Sequence, residues 1–121
     1  MTDPLIDVKA LEVALQRFAN ERDWQQFHSP KNLAMALTGE VGELVELFQW
    51  LTEDQSKLVA IDPTTAQAVR DEIADVLLYL VRLSSVLGVD LNDAVQKKLT
   101  TNAAKYPLSK AHGSNKKYSA T

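Results

Sequence analysis

The chain has 121 residues with a formal net charge of −3, and 45% of them are hydrophobic. That suits one domain with a real core. The absence of cysteine excludes disulfides and thiolate metal sites, and two histidines, His28 and His112, are too few for a typical zinc or di-iron centre.

The N-terminus carries acids and has no signal-peptide apolar region, and the longest apolar run, residues 76–81, is far short of a membrane span. The expectation is a cytoplasmic protein with no membrane partner. All 16 acidic residues lie at or before Asp93, whereas six of the 13 basic ones follow it. An acidic body with a basic C-terminal segment can hold a cation and an anion side by side. Charge alone equally fits a solvated basic tail, and an acidic body with a pI near 5.3 argues against polymeric nucleic acid.

Hydrophobic periodicity predicts four helices and no strands. The first spans residues 4–22, with Leu5, Val8, Leu11, Leu15 and Phe18 at helical spacing. Residues 23–30 read as a loop, and Ser29-Pro30 as a helix start. The second helix spans residues 31–51. The polar segment 52–63 ends in Asp62-Pro63, a turn signal. Thr64 or Thr65 caps a third helix running to Leu87, with Gly88 as its C-cap. Asp90 or Asn92 starts a fourth, ending near Lys105 before Pro107. The division expected is a helical domain over residues 1–107 and a polar basic tail over 108–121.

The carboxylates stand out when each helix is drawn at about 100° per residue. On the second helix, Leu33, Leu37, Leu44, Leu47, Phe48 and Leu51 form one stripe. Glu40 falls inside it, Glu43 on its margin, Trp50 on the same side and Glu46 further out. On the third helix, Val69, Ile73, Val76, Leu80, Leu83 and Leu87 form the stripe. Glu72 lies near its edge, and Asp75 and Tyr79 lie on the same side.

Acids within an apolar stripe are costly to ionise unless paired. No Lys or Arg occurs from Asn32 to Ser56, although Arg70 and Arg82 could pair with the third-helix acids. A hard divalent cation such as Mg²⁺ would relieve the repulsion and keep positions open for phosphate oxygens. Spacing alone leaves a metal site, a polar seam and an oligomer interface all open.

Glu40-Val-Gly-Glu43, followed after 28 residues by Glu72-Ile-Ala-Asp75, resembles the ExxE…ExxD signature of the MazG-like all-α nucleoside triphosphate pyrophosphatases. The likeness extends over ERDWQQFHSPKNLAMALTGEVGELVELFQW, RDEIADVLLYLVRLSSVLGVDL and KKLTTNAAKYP, and is strongest to the dCTP branch. It implies an all-α four-helix bundle, oligomeric as a homodimer or homotetramer. It also implies Mg²⁺-dependent hydrolysis of a nucleoside triphosphate, dCTP or a modified dCTP, to the monophosphate and pyrophosphate, with Mn²⁺ as a substitute ion.

Carried over, Glu40, Glu43, Glu72 and Asp75 are the metal ligands and Glu43 is the candidate base. Trp24 and Trp50 match positions that line the base pocket. Lys98, Asn102 and Tyr106 match a polar set that grips phosphates and sugar, and His28 and Tyr79 fall in matching blocks. A position that is histidine in some relatives reads Leu15 here. The blander readings are core or interface tryptophans, a solvated Lys98, an Asn102 cap and a loop His28. The alternatives are a non-enzymatic helical interaction module and a related pyrophosphatase acting on dUTP or another nucleotide.

Overall fold

Local signals set most of the boundaries. In the computed structural model, which describes residues 3–120, Ser29 Oγ accepts from Asn32 N at 3.1 Å. Pro30, with no N–H to leave unpaired, opens the helix α2, Pro30–Glu46. Gly88 adopts φ 71° and closes α4, Ala66–Leu87, in the left-handed conformation that costs glycine least. Asp90, not Asn92, caps α5, Leu91–Lys105, through its side chain onto Asp93 N.

Four departures from the sequence reading have local causes. The first helix, α1, spans Lys9–Glu21 rather than starting at residue 4. The amides of Leu5 and Ile6 instead donate to Asn92 Oδ1, at 2.8 and 3.3 Å. Helix α2 ends at Glu46, and residues 47–50 continue as tight turns. The polar segment 52–63 contains a one-turn helix, α3, Glu53–Ser56. Thr52 and Gln55 form a reciprocal capping box there, each side chain taking the other's amide. Thr65 precedes α4 but gives it no side-chain cap, because its hydroxyl donates to Val59 O at 2.6 Å.

A further single turn, α6, Leu108–Ala111, lies in the tail, so six α-helical segments and no strand occur among the described residues. Four of the six are longer than two turns. None is long and apolar enough to cross a membrane.

The chain forms two compact units, one from Val8 to Val89 and the other from the segments up to Asp7 and from Asp90 onward. In the first, α4 packs against α2 and α1. Ala19, Leu33, Val59, Val69 and Val81 are its buried apolar residues. The α2 stripe is as drawn: Leu33 is buried and Leu37, Leu44, Leu47, Phe48 and Leu51 are partly covered. The α4 stripe is not. Val69 is buried, but Ile73, Leu80 and Leu87 are exposed, while Val81, Arg82 and Ser84 are buried. Residues 76–81 are apolar around the whole helix, so periodicity could not say which face meets α1 and α2.

In the second unit, Tyr106 closes α5 and meets Tyr118 edge-on at 6.0 Å between ring centres. Lys105 Nζ lies 4.9 Å from the centre of the Tyr118 ring. The tail is therefore held by aromatic and cation–π contacts on its own unit.

Candidate active site

Helix α2 places Glu40 and Glu43 one turn apart, and the α2–α4 packing brings Glu72 to them. One carboxylate oxygen from each of the three lies within 4.8 Å of the others. Glu43 is exposed, and Glu40 and Glu72 are partly covered. The Oε2 atoms of Glu40 and Glu72 are buried without a hydrogen-bond partner. Among the described residues, no ion pair neutralises the group.

The electrostatics follow from that geometry. Burial pushes the Glu72 carboxyl up to about 7, helped by its contact with Glu40 and the charge of Glu43. Burial also raises Glu40, as do the charges of Glu43 and Asp75, against the opposing hydrogen bond from Glu72. Orphaned carboxylate oxygens converging from two helices fit a hard divalent cation, whose ligands are oxygens. Asp75 stands outside the three-residue group, one turn further along α4.

Asp75 instead borders a cavity of about 230 Å³. Leu15, Phe18, Trp24, His28, Leu33, Leu78, Tyr79 and Arg82 form the rest of its wall. Trp24 reaches it because the chain turns sharply after α1. Asp23 adopts φ 54°, and Trp24 N folds back onto Ala19 O at 2.8 Å. The Trp24 ring meets Phe18 edge-on at 5.7 Å and remains 45% exposed. An apolar, aromatic-walled hollow beside a carboxylate cluster is the arrangement that a ligand with a flat ring and an anionic tail requires.

Trp50 follows α2 in the turn region, is 86% exposed, and does not line the cavity. Lys98, Asn102 and Tyr106 follow one another at four-residue spacing along α5 and its C-cap, in the other unit. Lys98 is exposed and the other two are partly covered.

Phe18 and Arg82 were not singled out from sequence as wall residues. Arg82 does not pair with the α4 acids. Its Nε donates to His28 Nδ1 at 3.1 Å, and its Nη1 donates to Gln16 Oε1 at 2.7 Å. The available signal was a lone cation inside the apolar stretch of α4.

Known proteins resemble the chain over most of its length. The MazG-like family model matches residues 36–120. Over 114 residues the chain is 46% identical to dCTP pyrophosphatase 1 of Mus musculus, covering 94% of this chain and 65% of the relative. The figures for dCTP pyrophosphatase 1 of Homo sapiens are the same. The chain thus spans about 65% of the length of these curated relatives. A pyrophosphatase of Archaeoglobus fulgidus DSM 4304, known from its crystal structure, superposes with a TM-score of 0.77 at 36% identity, covering 88% of this chain and 98% of that one. With Glu40, Glu43, Glu72 and Asp75 all inside the matched region, the chain belongs to the MazG-like family.

Proposed function

We propose that the chain is a Mg²⁺-dependent nucleoside triphosphate pyrophosphohydrolase acting on dCTP or a modified dCTP, with dCMP-type monophosphate and pyrophosphate as products. One observation carries this reading: a three-carboxylate cluster with two orphaned buried oxygens stands beside an aromatic-walled cavity, with Asp75 at the cavity's edge. The dCTP assignment is supported by the 46% identity to relatives named for that substrate.

Glu40, Glu43, Glu72 and Asp75 would hold the ion. When bound, it supplies positive charge to the phosphates and lowers the pKa of coordinated water. Glu43, the exposed member of the cluster, accepts the proton of a water attacking the α-phosphorus. The bond from that phosphorus to the α–β bridging oxygen breaks, and pyrophosphate leaves. Trp24, Tyr79 and His28 line the base cavity. On the family resemblance, Lys98, Asn102 and Tyr106 would grip phosphates and sugar.

The protein is read as a cytoplasmic homodimer or homotetramer. The exposed rows Ile73, Leu77, Leu80 and Leu87 on α4 and Val41 and Val45 on α2 are apolar surface that a second copy covers. Trp50 then serves a pocket completed by that copy. Mn²⁺ substitutes for Mg²⁺.

The test is direct. Purified protein with MgCl₂ and dCTP yields dCMP and pyrophosphate, not dCDP and phosphate. Glu43→Gln and Asp75→Asn each lower turnover by orders of magnitude while the helical circular-dichroism signal persists. Wild-type-like activity in both variants defeats the assignment.

A further inference from the structure

Arg82 is 5% exposed, embedded in the apolar middle of α4, and it helps form the wall of the base cavity. Its partners are neutral: His28 Nδ1 and Gln16 Oε1. Among the described residues, no ion pair holds it. Burying a cation this way is costly, and two neutral acceptors engage only two of the five N–H groups of a guanidinium. Its fork carries three further N–H groups, on a side chain that borders the cavity.

The hydrogen bond from Arg82 also decides the state of His28. Because Nδ1 accepts, the neutral ring carries its proton on Nε2. Protonating Nδ1 would break the bond and set two cations side by side. Burial and the Arg82 charge accordingly hold His28 below its ordinary range. Both polar groups are thus donors, on residues that line the same cavity. Position along α4 agrees: Arg82 lies seven residues beyond Asp75, about 10 Å along the axis, at the end remote from the carboxylate cluster.

We propose that Arg82 is a specificity-determining residue of the base cavity. With His28 it forms a donor-only surface that accepts the N3 and O2 acceptors of cytosine and rejects the N3–H of uracil or thymine. This rests on the nucleotide-hydrolase reading above. A site built from donors discriminates because the wrong base leaves buried N–H groups facing another N–H.

The test uses the full chain as wild type, Arg82→Lys and Arg82→Met. With MgCl₂, kcat/KM is measured for dCTP, dUTP and 3-deaza-dCTP, in which a C–H replaces N3. Separately, binding of dCMP and dUMP is measured by calorimetry in metal-free buffer. The expected result is a wild-type preference for dCTP over both alternatives that falls by about ten- to hundredfold in Arg82→Met, mainly through KM. Arg82→Lys keeps the charge but not the fork, and recovers only part of it.

An unchanged dCTP-to-dUTP ratio in folded variants, or equal use of dCTP and 3-deaza-dCTP by the wild type, overturns the proposal. The 3-deaza arm needs no variant, so loss of folding in Arg82→Met does not remove the test. If the wild type releases no pyrophosphate yet prefers dCMP over dUMP through Arg82, the hydrolase reading fails and the Arg82 assignment stands. If turnover is confirmed but base preference ignores Arg82, the reverse holds.

Discussion

The carboxylate cluster makes metal binding a question of stability as well as of catalysis, and Glu72→Gln separates the two. Three carboxylates with an oxygen each within 4.8 Å of the others, two of them with a buried Oε2 that has no hydrogen-bond partner, form a site that repels itself without a cation. An ion that binds only the folded state stabilises it by about 2.7 kcal/mol when present at one hundred times its Kd. Unfolding entropies near 2.1 cal/mol/K per residue give about 0.25 kcal/mol/K for a chain of this length. The melting temperature should therefore rise by about 10 °C. Differential scanning calorimetry with and without Mg²⁺ or Mn²⁺ reads this shift directly. In Glu72→Gln the shift should shrink to a degree or two, because a ligand charge is gone. In chelator at pH 8 the variant should melt no lower than the wild type, because an amide can donate to Glu40 where an ionised Glu72 repels it. A variant that keeps the full metal shift, or a wild type indifferent to both ions, would refute the site.

Other outcomes follow from the same geometry. Glu72 is raised to about 7 in the folded protein, so between roughly pH 4.5 and 7 the native state holds a proton that the unfolded chain has released. In chelator, stability should fall as pH rises through that window; urea midpoints that are flat or climbing there contradict the coupling. Leu33 is both core and cavity wall, at 2% exposure, and Leu33→Ala should cost about 2–5 kcal/mol by chemical denaturation. Trp24→Ala removes the aromatic face of the cavity and should raise KM for dCTP about ten- to hundredfold in a pyrophosphate-release assay, consistent with stacking worth about 1–3 kcal/mol.

What could be read in the sequence tracks how local the cause is. Ser29-Pro30, Gly88 and Asp90 act within one turn of themselves, and each marks a helix end where expected. The Thr52–Gln55 capping box is equally local, and its spacing was readable, yet it sat inside a stretch that polarity alone marked as loop. The N-terminal boundary was out of reach, since residues 5 and 6 are diverted by Asn92, 86 to 87 positions away.

The same division holds at the site. Glu40 and Glu43 share a helix face by spacing, and the family resemblance, not the spacing, set Glu72 beside them. The contacted face of α4 was not legible, because residues 76–81 offer apolar side chains in every direction. Arg82 therefore read as a partner for acids on its own helix, and only the packing against α1 and the His28 loop shows it bound to neutral groups.

Helix α4 is in this sense the ruler of the site. Glu72, Asp75, Tyr79 and Arg82 recur at three- and four-residue intervals, which keeps them on one side of a rigid helix at rising heights. The order is acid, acid, aromatic, cation. A nucleotide has a matching order: an anionic tail that needs a cation held by acids, then a flat ring, then the acceptor edge of that ring. Because a helix fixes these heights to within a fraction of an ångström, base identity can be judged about 10–15 Å along the axis from the carboxylates without any change at them. On the proposed reading, selectivity and hydrolysis would vary independently, the first through side chains near Arg82 and the second through the carboxylates.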